Sequence, residues 1–293
     1  MELLPQQIAP ITPKQAELTA RFLKPAISEL LLGFGRLRDV ADIELSAHYP
    51  FANGKPYPLG RCNIILNTVF KLLMQEYRNN SSGKLVAVFD FLRAGGMLRS
   101  IWGVLRNREF QNALQLGGLY VDVANDTVDT RKPKIEILPL EESGMESVAD
   151  IAHFAGIAQN YWGVDIYANH VIPGLAPILP IISVLPGKMP RLQSASDYMI
   201  DLCRRDNFKN AEHWLATAQS PPDSLIHQLR SVVPKQLIPN IPEEGKRAAL
   251  LASQTARSQG CAFDAAWRDA RVQEYLAVEL AVRNASFVMT TQI

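Results

Sequence analysis

Cys62 is the residue whose position most suggests chemistry. It ends the loop Tyr57-Pro58-Leu59-Gly60-Arg61 and opens an apolar run, NIILNTVFKLL. At a helix N-terminus the macrodipole and unpaired backbone N–H groups favour a thiolate over a thiol. Arg61 would push the same way, and a lowered thiol pKa is what a nucleophilic cysteine needs. The competing use is a buried structural cysteine, among the commonest of core residues.

Asp122 is the second candidate. It lies in LYVDVANDTVD on a β-compatible run, and a carboxylate inside an apolar sheet costs desolvation unless something pairs with it. Orienting a histidine, binding a metal or capping the following turn would each account for it. Asn125 and Asp126 read as turn formers. Asp122, Asp126 and Asp129 could face a cation, but their spacing does not match a calcium loop, so no metal and no cofactor are expected. In FQNALQ, Gln111 and Gln115 share one face of a strand and Asn112 takes the other. Buried amides often line polar substrate pockets, and the alternative is a solvent-facing hairpin. Trp102 reads as a core anchor that also suits a substrate wall. Arg61, Trp102, Glu109, Gln111 and Asn112 together form the expected substrate-binding set. Arg93, Arg99, Arg106 and Arg108 make a basic stretch, read as a solvated face or an anion site.

The chain has five histidines, His48, His153, His170, His213 and His227. His170, in the loop YANHVIPG, and then His153, in IAHFAGIAQNYW, are the candidate bases for Cys62, because loop residues converge on sites more freely.

Two family resemblances follow. Gly60-Arg61-Cys62 before an apolar helix, with LGGLYVDVANDT downstream, resembles the core of transglutaminase-like, papain-type cysteine enzymes. That resemblance covers roughly residues 57–128 and implies a thiol nucleophile at Cys62, with Asp122 as the orienting carboxylate. Where the family has its histidine, this chain reads Glu109-Phe110-Gln111-Asn112, and no histidine lies between His48 and His153. The implied function is acyl transfer or amide/ester cleavage. The alternative is a non-catalytic small-molecule or peptide-binding protein of the same fold. GGLYVD also resembles half of the DXD signature of sugar-nucleotide glycosyltransferases, with Ala124 where the second aspartate belongs.

These residues need elements to position them. Periodicity predicts a helix over 13–34, kinked at Pro25, a loop over 46–61, and a helix from Cys62 that NNSSG closes. KLVAVF (84–89) reads as a strand and MLRSIWGVLRNR (97–108) as a helix or turn. NALQL-GG-LYVDV reads as a hairpin through a primed turn, and KIEILPL (134–140) as a third strand. Beyond EESGME (141–146) the reading is helical: 146–163, 194–219, 221–233, 243–260 and a last long helix from Phe263. The proline-rich stretch 171–187 reads as buried extended chain or loop. The expectation is an α+β fold: residues 1–145 carry an N-terminal helix and a small antiparallel sheet with a Cys-headed helix, and a mainly helical region, 146–293, packs on them.

Bulk composition sets the remaining bounds. The 293 residues are 47% hydrophobic and 20% charged, a globular composition. A net charge of +1 and a pI near 7.7 give no basic excess for nucleic acid. The N-terminus lacks a secretory pattern, no stretch suits a membrane span, and three scattered cysteines suit a reducing compartment, so a cytoplasmic location is expected. Leu276 and Leu280 on the last helix suggest a homodimer surface.

Overall fold

The structure is a computed structural model that describes residues 3–52, 54–80, 83–193, 196–238 and 245–291. Its contacts divide the chain into two units, Gln6–Ser147 and Met1–Pro5 with Val148–Ile293. The fold class is α+β, with a curled five-stranded antiparallel sheet in the first unit.

The first unit begins with α1 (Pro13–Leu18), capped by Thr12, whose side chain accepts from Gln15 N. A π-helical turn, Thr19–Leu23, and a 3₁₀ turn, Lys24–Ala26, lead into α2 (Ile27–His48). Pro25 has no N–H for an intrahelical bond, so the expected kink is a change of helix type. The short ribbon β1 (Phe51–Ala52) and β2 (Lys55–Pro56) precedes α3 (Cys62–Arg78). Ser81 and Ser82 of the expected helix stop lie outside the described residues.

Two expectations are corrected here. Residues 86–89 belong to a helix, α4 (Val86–Arg93), with Lys84 and Leu85 in the turn before it, and residues 98–105 form a strand, β3 (Leu98–Leu105). Short apolar runs suit either element, and tertiary packing chose. Leu85, Val88, Phe89 and Leu92 recur at helical spacing and join one core. β3 places Leu98 against the helices on one face and Ile101 and Leu105 in the apolar cluster on the other. At Gly103 an added Cβ would stand 2.1 Å from the Glu146 carbonyl oxygen, so only glycine lets the neighbouring strand approach.

The hairpin forms as expected from β4 (Glu109–Leu116) and β5 (Leu119–Asp122). Leu116 pairs with Leu119, which leaves Gly117 and Gly118 as a two-residue loop. Gly117 has φ +57°, and a Cβ there would stand 2.4 Å from Thr19 Oγ1. With β6 (Glu136–Pro139) and β7 (Met145–Glu146) the strand order is β6-β5-β4-β3-β7. The sheet separates two apolar layers. Leu114, Leu116, Val121 and Val123 pack with α2, α3 and α4, whereas Ile101, Ala113, Tyr120 and Met145 pack with Ile8 and Ile11.

The second unit starts with α5 (Ile151–Trp162), capped by Asp150 and ended by Gly163 in the left-handed region. β8 (Asp165–Ala168), β9 (Ile181–Val184) and β10 (Arg191–Gln193) form an antiparallel sheet of order β10-β9-β8. β9 is wholly buried and lies in the proline-rich stretch, where extended chain was expected. The expected helix 194–219 is instead two, α6 (Asp197–Arg205) and α7 (Lys209–Thr217); Ser194 and Ala195 lie outside the described residues. Asn207 N donates to Arg204 O and Phe208 N to Cys203 O, a Schellman stop with asparagine in the left-handed position usually given to glycine. α8 (Asp223–Val232), α9 (Gly245–Ser258) and α10 (Ala265–Thr291) complete the unit; the start expected at 243 lies outside the described residues. Leu276 and Leu280 are exposed on α10, Val278 and Val282 buried. Among the described residues no helix is long and apolar enough to cross a membrane.

Candidate functional site

Cys62 is the first residue of α3 and half-buried. Its loop is tied down by Gly60 N donating to Thr127 O at 2.9 Å. Arg61 is buried and spends its guanidinium on the loop itself: Nη1 donates to Leu59 O at 2.6 Å and Nη2 to Tyr49 O at 3.4 Å. The sulfur's hydrogen-bond partner is Asn112, whose Nδ2 lies 3.4 Å away. Burial pushes the thiol pKa up, and the charge of Asp122 adds to this. The Asn112 amide pulls the other way without reversing the shift.

Register explains why Asn112 reaches the thiol. Asn112 faces Trp102 across β3 and β4. Even-numbered residues of both strands point toward α3, as Leu98, Leu114 and Leu116 show. Trp102 stacks on Phe110 at 5.3 Å with 15° between the rings, and both lie on this face. Cys62, Asn112 and Trp102 are each partly buried, and Asn112 adjoins the other two, through its bond to the sulfur and its pairing with Trp102.

Asp122 is on the other face. Its neighbours there are Tyr120, whose hydroxyl donates to Oδ2 at 3.0 Å, and Gln111, whose Nε2 donates to Oδ2 at 2.7 Å. Ala124 N donates to Oδ1 at 2.7 Å. The carboxyl is fully buried, and burial raises its pKa to about 6 against the pull of these three donors. Glu136, opposite it in β6, adds to the rise and is itself paired with Arg106 at 2.7 Å. Burial likewise pushes the Tyr120 hydroxyl pKa up. The expected convergence of Cys62 and Asp122 is therefore corrected: they sit on opposite faces of one sheet, because Asp122 shares the parity of Tyr120 and Ala113, not that of Asn112.

The other candidates separate in the same way. Gln111 serves Asp122, and Gln115 clasps the backbone of Ala9 through two bonds of 2.8 Å. Glu109 pairs with Lys132 at 3.4 Å. His153 closes the first turn of α5, its Nδ1 accepting from Ala149 N at 3.2 Å. His170 is buried, with both ring nitrogens engaged inside its own unit, by Ser220 Oγ at 2.7 Å and Leu215 O at 2.8 Å. Of the basic stretch, Arg93 pairs with Asp90 and Arg106 with Glu136. Asp126 holds Arg38, and Asp129 holds Arg131. Among the described residues no group of three or more His, Cys, Asp or Glu is placed to hold a metal ion.

Ser220 was not singled out by the sequence. Its only local signal is the turn-forming Ser220-Pro221-Pro222, which says nothing about a distant histidine. A scan against protein-family models and searches of curated proteins and of solved structures return no match.

Proposed function

We propose that residues 6–147 form a non-catalytic binding module that takes an amide-bearing small molecule or peptide on the Cys62–Asn112–Trp102 patch. The observation that carries this is the partner of the sulfur. A carboxamide N–H donates a hydrogen bond but cannot take the thiol's proton, and burial favours the neutral thiol. Asn112 Oδ1 has no partner among the described residues and can accept from a ligand amide, while the Trp102–Phe110 stack offers a flat apolar wall. The orienting carboxylate required by a cysteine triad faces away, held by three other donors.

One observation favours the acyl-transfer reading instead: the thiol stands at the first residue of a 17-residue helix, where N–H groups could hold a thiolate or an oxyanion. A single experiment separates the two. Iodoacetamide alkylation of Cys62 is followed from pH 7 to 10 beside free cysteine, and the protein is then offered an activated thioester. The binding reading expects alkylation with a midpoint above that of free cysteine and no acyl-enzyme. It further expects N-acetyl dipeptide amides to shift the Asn112 side-chain resonances in the wild type but not to bind Asn112→Ala. Accumulation of an acyl adduct on Cys62 would overturn it in favour of catalysis.

A further inference from the structure

The second unit carries a different constellation, independent of the reading of Cys62. His170 sits on a loop that its neighbours hold rigidly. Asn169 Nδ2 donates to Leu179 O at 2.9 Å, Asn169 Oδ1 accepts from Ile172 N at 3.0 Å, and His170 N donates to Ala168 O at 2.8 Å. Ala168 N in turn donates to Gln219 O at 2.9 Å, which pins the residue before Ser220 beside the end of β8. The prolines at 221 and 222 limit the chain after it.

The ring contacts settle the tautomer. Leu215 O can only accept, so Nε2 carries the proton that it receives. Nδ1 is then a bare lone pair, and the bond of 2.7 Å to Ser220 Oγ is donated by the serine. Nucleophile, base and a group that orients the base are thus in sequence within hydrogen-bond reach. His170 as a residue is only 3% exposed, whereas Ser220 lies at the surface. Its exposure leaves the serine open to a substrate, as a nucleophile must be. Burial holds the imidazole pKa down, and the Lys246 ammonium adds to this while Leu215 O opposes it, so the base is neutral near pH 7.

The first turn of α9 closes on the same place. Gly245 packs so tightly on His170 that an added Cβ would stand 2.2 Å from its carbonyl oxygen. From Lys246 a groove of about 550 Å³ runs along α9, lined by Lys246, Arg247, Leu250, Leu251 and Gln254. Lys246 Nζ donates to Ala216 O at 2.6 Å, Arg247 adds a second cation beside it, and aliphatic surface lies beyond.

We propose that Ser220 is a nucleophile served by His170, and that this dyad hydrolyses carboxylic esters bearing an aliphatic chain and an anionic group. Ser220 Oγ bonds to the ester carbonyl carbon as its proton passes to Nδ1. The tetrahedral adduct then expels the alcohol, which leaves with that proton. Water adds to the acyl-serine, giving a proton to Nδ1. The acid departs and Ser220 Oγ recovers the proton. Leu215 O keeps Nε2–H in place throughout and stabilises the transient imidazolium.

The full chain is treated with a fluorophosphonate probe, the modified residue is mapped, and turnover of 4-nitrophenyl octanoate is compared with that of 4-nitrophenyl hydrogen suberate. Ser231 and Ser258, exposed serines that donate to backbone carbonyls, are internal references. The expected result is label on Ser220 and not on the references. Ser220→Ala should lose turnover by about a hundredfold or more while still unfolding in one cooperative transition, and Ser220→Cys, which keeps a nucleophile beside Nδ1, should retain label. Arg247→Gln should raise KM for the suberate ester and leave that for the octanoate. Label absent from Ser220, or full turnover by Ser220→Ala, overturns the nucleophile. Equal response of the two esters to Arg247→Gln overturns the substrate class.

Discussion

Asp122 holds its carboxyl inside the sheet with three donors and no cation, and this gives it a measurable signature. Its folded-state pKa of about 6 lies above the ordinary 3.8, so the folded chain binds the proton more tightly than the unfolded chain. Well below the ordinary carboxylate range, at about pH 3 and under, both states are protonated and Asp122 costs little. As pH rises through 4 to 6 the unfolded chain ionises first, and stability falls. Above that window the cost is constant, on the order of 3 kcal/mol at ~1.4 kcal/mol per pKa unit. Asp122→Asn keeps the size and an acceptor for Ala124 N but has no such titration. The wild type should therefore lose stability relative to Asp122→Asn between pH 4 and 6 in urea denaturation. A difference that stays flat across that window would mean that the folded carboxyl titrates normally.

At the scale of elements, the contact between α2 and the turn after β5 depends on Arg38. Its guanidinium is wholly buried and donates to both oxygens of Asp126, at 2.8 and 3.1 Å, to Val123 O at 2.8 Å and to Asp42 at 2.6 Å. Lys134 and Tyr57 also converge on Asp42. Removing the cation would leave Asp126 buried and uncompensated. Arg38→Ala should cost ~3–5 kcal/mol, and Arg38→Lys should recover little of it, because an ammonium cannot make the forked contact. Thermal unfolding of both variants checks this; a loss below about 1 kcal/mol for Arg38→Ala would mean that the pair contributes little. From sequence alone one arginine on an amphipathic helix reads as surface, and only the fold brings Asp126 to Arg38.

At the scale of the molecule, each unit has its own apolar interior. In Gln6–Ser147 the layer formed by α2, α3 and α4 against the sheet contains Leu30, Phe34, Val69, Phe89 and Val121, all fully buried within that unit. A fragment of residues 6–147 is therefore expected to fold alone, with one cooperative transition and dispersed amide resonances. A fragment with collapsed dispersion and no transition would show that the unit depends on the rest of the chain.

Local chemistry was legible without any tertiary structure. The Gly117-Gly118 hairpin, the helix beginning at Cys62 and the opposed faces of Gln111 and Asn112 follow from backbone preference and strand parity, which act over a few residues. The choice between helix and strand for 84–89 and 98–105 did not, since a short apolar run suits both until a core is packed around it. Nor did the partners of Cys62, Asp122 and His170. Parity shows which residues share a face but not which face meets α3, and register sets the carboxyl of Asp122 behind the sheet. The bond between His170 and Ser220 spans fifty positions of sequence. Only the folding of the loop after α7 onto the end of β8 brings those two residues together, because a single hydrogen bond leaves no periodic trace in a chain.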